Sequence, residues 1–313
     1  MISYIIRRCL QLIPVLVGIS LLVFLMVHLL PGDPAIAIVG PEVTPDQIRQ
    51  VREEYHLDDP WLVQYLIWMK MILRGDFGVS IVENVPISKL LLARLPVTLQ
   101  LTGFAMIISL LISIPAGVVS AVKKDTLSDN IARVFAFAGI CIPNFWLGIM
   151  LILIFGVLFP ILPVYGYVSP IHNFPEALRH LLLPSITLGT ALAALVTRMT
   201  RSCLLEVLAC DYVTVARAKG LPEHVVIYKH ALRNAMIPVI TVVGLQFGFL
   251  LGGSVLVETV FALPGIGKLV VDSIFFRDYP VVQGVVLCYA LVFSLVNLLV
   301  DVLYGFLDPR IRY

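Results

Sequence analysis

Six runs of about twenty apolar residues decide what this chain can fold into. They are Cys9–Leu30, Val97–Val122, Val134–Phe159, Leu181–Thr200, Met236–Val257 and Val281–Leu303. Coiled as a helix rising about 1.5 Å per residue, each is long enough to cross the hydrocarbon core of a bilayer. Inside lipid the backbone has no water to bond, so a helix that satisfies every N–H and C=O within the segment is expected of each run. The predicted fold class is all-α, a polytopic membrane protein with about six transmembrane helices. Composition agrees, with 59% hydrophobic and 13% charged residues, where soluble domains carry about 25% charged. Pro143, Pro160 and Pro163 can kink or stop the third run.

The placement of Lys and Arg orients the chain. With the N-terminus in the cytoplasm, Arg7, Arg8, Lys123, Lys124, Arg133, Arg198, Arg201, Arg217, Lys219, Lys229, Arg233, Arg310 and Arg312 all fall inside. The short outer loops keep only Arg179, Lys268 and Arg277. This asymmetry predicts that both termini are cytoplasmic. The basic opening before Cys9–Leu30 resembles a signal peptide, but the apolar run is too long and lacks a small-residue cleavage site, so a retained first span is expected. Residues 1–96 are read as that span plus an extracytoplasmic helical cap, whose helix opens at Thr44-Pro45-Asp46-Gln47 with capping-box chemistry. Residues 97–313 are read as a five-helix core with a long cytoplasmic segment at 201–235. His28, Glu258 and Asp301 lie near span ends, where water is expected to reach them.

Several functions are disfavoured by what the chain carries. A net charge of +2, with no basic run, gives no nucleic-acid footprint. The cysteines, Cys9, Cys141, Cys203, Cys210 and Cys288, are scattered and form no metal-ligand spacing. No catalytic constellation and no metal set is visible in the spans, which argues against an intramembrane enzyme. An ion-coupled secondary transporter would be expected to show inverted repeats or midplane charges, and neither is seen. The phosphate-binding pattern GxxxxGK[ST] is absent. Gly265-Ile-Gly-Lys268 comes nearest, but Ala262 and Leu269 break the pattern and a turn is expected there.

The segment 201–235 reads as helix, corner, helix. Ser202–Lys219 suits a helix that ends at Gly220, and Leu221-Pro222-Glu223 restarts it with Pro222 at the first helical position. Ala216 and Ala218 permit close approach, Tyr212 offers a large apolar body, and Arg217 and Lys219 put charge at the helix C-terminus. Taken alone, these residues fit either a solvated connector or a docking corner. Gly244, Gly248 and Gly252 recur every four residues in the fifth span and permit a close helix contact, within the bundle or with another chain.

Asp211-Tyr-Val-Thr-Val-Ala-Arg-Ala-Lys-Gly220, followed by His230-Ala-Leu-Arg-Asn-Ala-Met-Ile-Pro238, resembles the coupling segment of ABC transporter permease subunits in the form used by the dipeptide/oligopeptide/nickel family. Against the broader pattern Glu-Ala-Ala-x-x-x-Gly with a later Ile-x-Leu-Pro, the chain keeps Ala216, Gly220 and Leu232 and departs at Thr214, Val215, His230 and Arg233. Further segments resemble the same family in the same order: Leu30–Pro34, Gly75–Ser80, Phe261–Gly267, Arg277–Gln283, Asn297–Asp301 and Asp308–Arg312.

The resemblance implies the type I ABC importer permease fold in a bacterial inner membrane, translocating di- or oligopeptides, with glutathione or nickel as alternatives. The stretch Gly244–Gly253 and the ending Tyr313 resemble the glutathione branch. It implies as partners a second homologous permease, two cytoplasmic ATP-binding subunits that hold the ATP and Mg, and an extracytoplasmic substrate-binding protein. No cofactor is expected in this chain. The resemblance assigns ATPase coupling to Tyr212, Ala216, Arg217, Ala218, Lys219 and Gly220.

Overall fold

In the computed structural model, which describes residues 2–29 and 58–307 with positions 44, 46, 49, 52 and 53 between them, the apolar runs are helices. The elements are α1 (Ile2–Leu29), α2 (Trp61–Leu73), α3 (Ile87–Val122), α4 (Leu127–Cys141), α5 (Asn144–Ile152), α6 (Phe174–Leu208), α7 (Asp211–Ala218), α8 (Leu232–Val260), α9 (Ile266–Phe275) and α10 (Tyr279–Leu307). A π-helical turn, Leu153–Leu158, prolongs α5; Glu223–Val225 and a second π turn, Val226–Ala231, lead into α8. Among the described residues there are five helices long and apolar enough to cross a membrane, and six spans when the bent pair α4 and α5 is counted as one.

The third apolar run is therefore not straight: its two halves meet at 103°. Pro143 is the cause. Its ring disfavours helical geometry at the residue before it, and Ile142 is extended with ψ 122°. The helix start expected at Thr44–Gln47 falls largely outside the described residues, since Pro45 and Gln47 are not among them; so do the side chain of Asp301 and the segment Asp308–Arg312.

The chain divides into two compact units, Met1–Thr98 with Pro264–Leu298, and Leu99–Leu263 with Leu299–Tyr313. In the first, α2 is fastened to α1 by polar contacts among aromatic rings. Ser20 Oγ lies 2.8 Å from Tyr65 Oη, His28 Nε2 lies 2.9 Å from Gln64 Oε1, and Phe24 stacks near His28, Tyr65 and Trp68. Ile87, Leu90 and Leu91 of α3 pack with Ile266 and Leu269 of α9 and Val281 and Val285 of α10. Gly265 precedes α9, whose first N–H, from Ile266, donates to Thr98 Oγ1 at 3.0 Å, while Lys268 pairs with Asp272 at 2.6 Å. The Gly-Ile-Gly-Lys stretch thus opens a helix whose first N–H and whose lysine already have partners.

In the second unit α6 is the central helix, packed against α4, α5 and α8. It starts at Asn173, whose side chain accepts the N–H of Glu176 at 3.2 Å, satisfying one of the free donors of the first turn. Glycines set how closely its neighbours come. A Cβ on Gly189 would sit 2.7 Å from the carbonyl oxygen of Ala105, and one on Gly117 would sit 2.6 Å from the Thr200 Cβ. Glu258 corrects an expectation: it is completely buried. The chain turns back after α8 with Ala262 at φ +52°, and Phe261 and Leu263 are buried in that turn, so the end of α8 is covered by protein and not open to water.

Two α3/α6 glycine positions give opposite expectations. Gly189→Ala drives a methyl into backbone and should destabilise the protein by about 1–3 kcal/mol. Gly103 has no atom within 4 Å of an added Cβ, so Gly103→Ala should be neutral or stabilising by roughly 0.5–1 kcal/mol. Thermal denaturation of the purified protein in one detergent compares the two.

Candidate functional site

The corner begins where α6 ends. The N–H of Ala209 bonds to the carbonyl of Glu206 at 3.2 Å and that of Cys210 to Val207 at 3.1 Å, and Cys210 is extended with ψ 145°, which turns the chain into α7. The single helix expected over Ser202–Lys219 is thus broken at Ala209–Cys210. Asp211 stands at the positive end of the new helix dipole and Arg217 at the negative end, both favourable. Lys219 closes α7, and Gly220 follows with φ +77°, its N–H donating to the Arg217 carbonyl at 2.9 Å. Only glycine enters this left-handed region without steric cost. Pro222 is the extended residue before the restart, with ψ 143°, and Glu223 is the first helical one, a shift of one position from expectation.

Packing decides which face of α7 is used inward. Val213 and Ala216 are buried against Val207, Leu208 and Val226, an i, i+3 pair on one face of the helix. Tyr212, Val215, Leu221 and Tyr228 are large apolar groups left exposed around the same corner, Val215 at 51%. Arg217 reaches across Gly220 to Glu223 in a bidentate pair, Nη2 to Oε1 at 2.7 Å and Nε to Oε2 at 3.2 Å. The Glu223 carboxylate beside it raises the Arg217 pKa above its ordinary value. Tyr212 Oη accepts from Asn234 Nδ2 at 2.9 Å, joining α7 to the first turn of α8.

Of the residues expected to form the corner, the structure brings Tyr212, Arg217, Ala218, Lys219 and Gly220 to an exposed surface, whereas Ala216 faces inward as packing. Val213, Glu223 and Asn234 complete the arrangement. The i, i+3 spacing of Val213 and Ala216 was a readable signal; the Arg217–Glu223 and Tyr212–Asn234 contacts had none, because they exist only once the corner is folded.

The three glycines of α8 part company. A Cβ on Gly244 would lie 2.4 Å from Val300 Cγ1, so that position serves a contact within the chain; Gly248 is buried; and Gly252 is exposed with nothing within 4 Å. Among the described residues no group of three or more His, Cys, Asp or Glu side chains could hold a metal ion.

Residues 113–313 match the family described as the binding-protein-dependent transport system inner membrane component. The chain belongs to that family. Residues 1–102 match the N-terminal membrane component of the same systems. Over the full length of both chains, this permease is 47% identical to the glutathione transport system permease protein GsiC of Salmonella choleraesuis and 46% to that of Escherichia coli K12. It is 44% identical to the dipeptide transport system permease protein DppB of Alkalihalophilus pseudofirmus, again over all of both chains. The crystal structure of an amino acid ABC transporter with histidines shares the fold, with a TM-score of 0.53 at 15% identity, covering 70% of this chain and 94% of that one. The protein is thus a multi-pass permease component of an ABC importer and works in a complex with other subunits.

The open space around Gly220 makes its requirement conformational and not steric. Gly220→Ala and Gly220→Val should loosen the corner to a similar degree, by about 1–2 kcal/mol, while Gly220→Asn, a residue that tolerates this backbone region, should retain most of its order. Hydrogen exchange over residues 211–223 measures the difference.

Proposed function

We propose that this permease forms one half of the translocation path of an ATP-driven importer of small peptides, and that the corner at Gly220 is where it receives force from an ATP-binding subunit. Both termini and the corner lie on the cytoplasmic side, as the distribution of Lys and Arg supports. The sequence lacks the pattern GxxxxGK[ST], which suits a system in which two partner subunits hydrolyse ATP, a second permease supplies the other half of the path and an extracytoplasmic binding protein delivers the substrate. The observation that carries the coupling role is the corner itself: a short helix, braced by Arg217–Glu223 and Tyr212–Asn234, presents Tyr212, Val215 and Leu221 to solvent. Exposed apolar groups on a rigid, projecting element suit a protein contact. Ala218, Lys219 and Gly220 flank that contact, Ala216 seats the helix, and the open face at Gly252 is available to the second permease.

For the substrate, end-to-end similarity to both dipeptide and glutathione permeases supports a peptide of two or three residues. Glutathione is favoured within that class. The glutathione permease of Salmonella choleraesuis aligns over 313 positions, the length of this chain, while the dipeptide permease needs 333, leaving 20 positions (333 − 313) with no counterpart here.

Reconstitution in proteoliposomes with the partner subunits tests both parts. Uptake of labelled glutathione or dipeptide should require ATP and the binding protein; uptake driven by an ion gradient without ATP would contradict the reading. Val215→Asp should leave the two permeases together but release the ATP-binding subunits during purification.

A further inference from the structure

We propose that Asp129 and Arg201 are positioning residues for transport: they lock α6, the helix that carries the corner, to α3 and α4, so that displacement of the corner moves these helices as one body. The inference rests on the coupling role proposed for the corner and adds how its motion is passed on.

Asp129, in the first turn of α4, is fully buried. Its carboxylate accepts both arms of the Arg201 guanidinium, Nε to Oδ1 at 2.8 Å and Nη2 to Oδ2 at 2.9 Å. Ser120 Oγ, near the end of α3, donates to Oδ1 at 2.5 Å, and the Asp125 N–H, in the turn between α3 and α4, donates to Oδ2 at 3.0 Å. Arg133 Nε, on α4, lies 3.6 Å from Oδ1. The turn is held in an unusual form to achieve this, with Asp125 at φ +61°. One carboxylate thus gathers the ends of three elements, and Arg201 stands ten residues before Asp211, where α7 begins.

The contact continues away from the corner. Gly117 of α3 lies against Thr197 and Thr200, and Gly189 of α6 lies against the backbone of Ala105. Gly189 to Arg201 is twelve residues, about 18 Å of helix. Along that length α3 and α6 approach almost backbone to backbone, which resists tilting, but glycine contacts alone permit sliding and rotation. A bidentate guanidinium–carboxylate pair is directional and fixes both. Stability alone does not call for it, because buried ion pairs are often replaceable by apolar residues without loss. What an apolar replacement removes is the fixed register of α6 against its neighbours at the point nearest the corner.

The test uses the whole transporter, both permeases with ATP-binding subunits and binding protein, in proteoliposomes, and reads substrate imported per ATP hydrolysed. The double variant Asp129→Leu/Arg201→Met keeps the site filled and uncharged; Arg201→Lys keeps the charge and loses the fork. Both should retain the ATP-binding subunits and hydrolyse ATP, while import per ATP falls roughly tenfold, within the range of ordinary coupling between sites. Asp129→Glu, which preserves a bidentate acceptor, should recover part of the loss. A wild-type ratio in either the double variant or Arg201→Lys overturns the proposal; if the double variant does not assemble, Arg201→Lys decides alone. Val215→Asp separates the two readings. If it releases the ATP-binding subunits while the clamp variants import at the wild-type ratio, only the clamp is wrong; if it retains them and imports normally, the corner reading falls and the clamp inference with it.

Discussion

In hydrocarbon every backbone hydrogen bond must be made within the protein, and the architecture of this permease follows from where its helices are allowed to stop. Each break is closed locally. At the end of α6 the N–H of Ala209 returns to Glu206 and that of Cys210 to Val207, and at the end of α7 the N–H of Gly220 returns to Arg217. At Ile142–Pro143 the proline has no donor to lose; on either side of the 103° bend Ile142 gives its N–H to Ala138, and Leu147 returns its own to the Pro143 carbonyl. The bend at Pro143 falls inside an apolar run, whereas the two breaks at the corner lie where solvent reaches them.

The corner and the clamp solve complementary parts of one mechanical task. The corner must be stiff and exposed, which it achieves with a short helix seated by Val213 and Ala216 and braced by polar contacts on its outer side. The helix behind it must not absorb the motion it receives. α6 is packed on several sides, and two of its polar residues reach other helices: Thr197 Oγ1 lies 3.4 Å from the Ser113 carbonyl of α3, and Arg201 leaves α6 to find Asp129. The charged pair in this unit thus fixes the direction of a helix, while large apolar side chains of α3, α4 and α5 face outward.

How much of this was legible in the sequence depended on the range of the interaction. The spans were readable because twenty apolar residues in a row have one solution in lipid, and the corner because Gly220 and Pro222 act on their own backbone. The extra break at Ala209–Cys210 was not, since neither residue is a helix breaker and the turn is made by Cys210 taking an extended conformation. Asp129 was overlooked for another reason: it lies 72 residues from Arg201, and an Asp in a first helical turn already has an adequate local explanation in the helix dipole. Glu258 was misplaced because counting along a span gives depth but not what covers the end of a helix. Gly244 and Gly252 carry the same spacing signal and meet different surroundings, which no spacing can distinguish.

The most direct measurement is photocrosslinking from position 215. A photoreactive phenylalanine analogue placed there, in the assembled transporter in native membranes, should form an adduct with an ATP-binding subunit, and with neither the binding protein nor lipid. An adduct with the binding protein, or with lipid alone, would place the corner on the wrong face or in the bilayer and contradict the account.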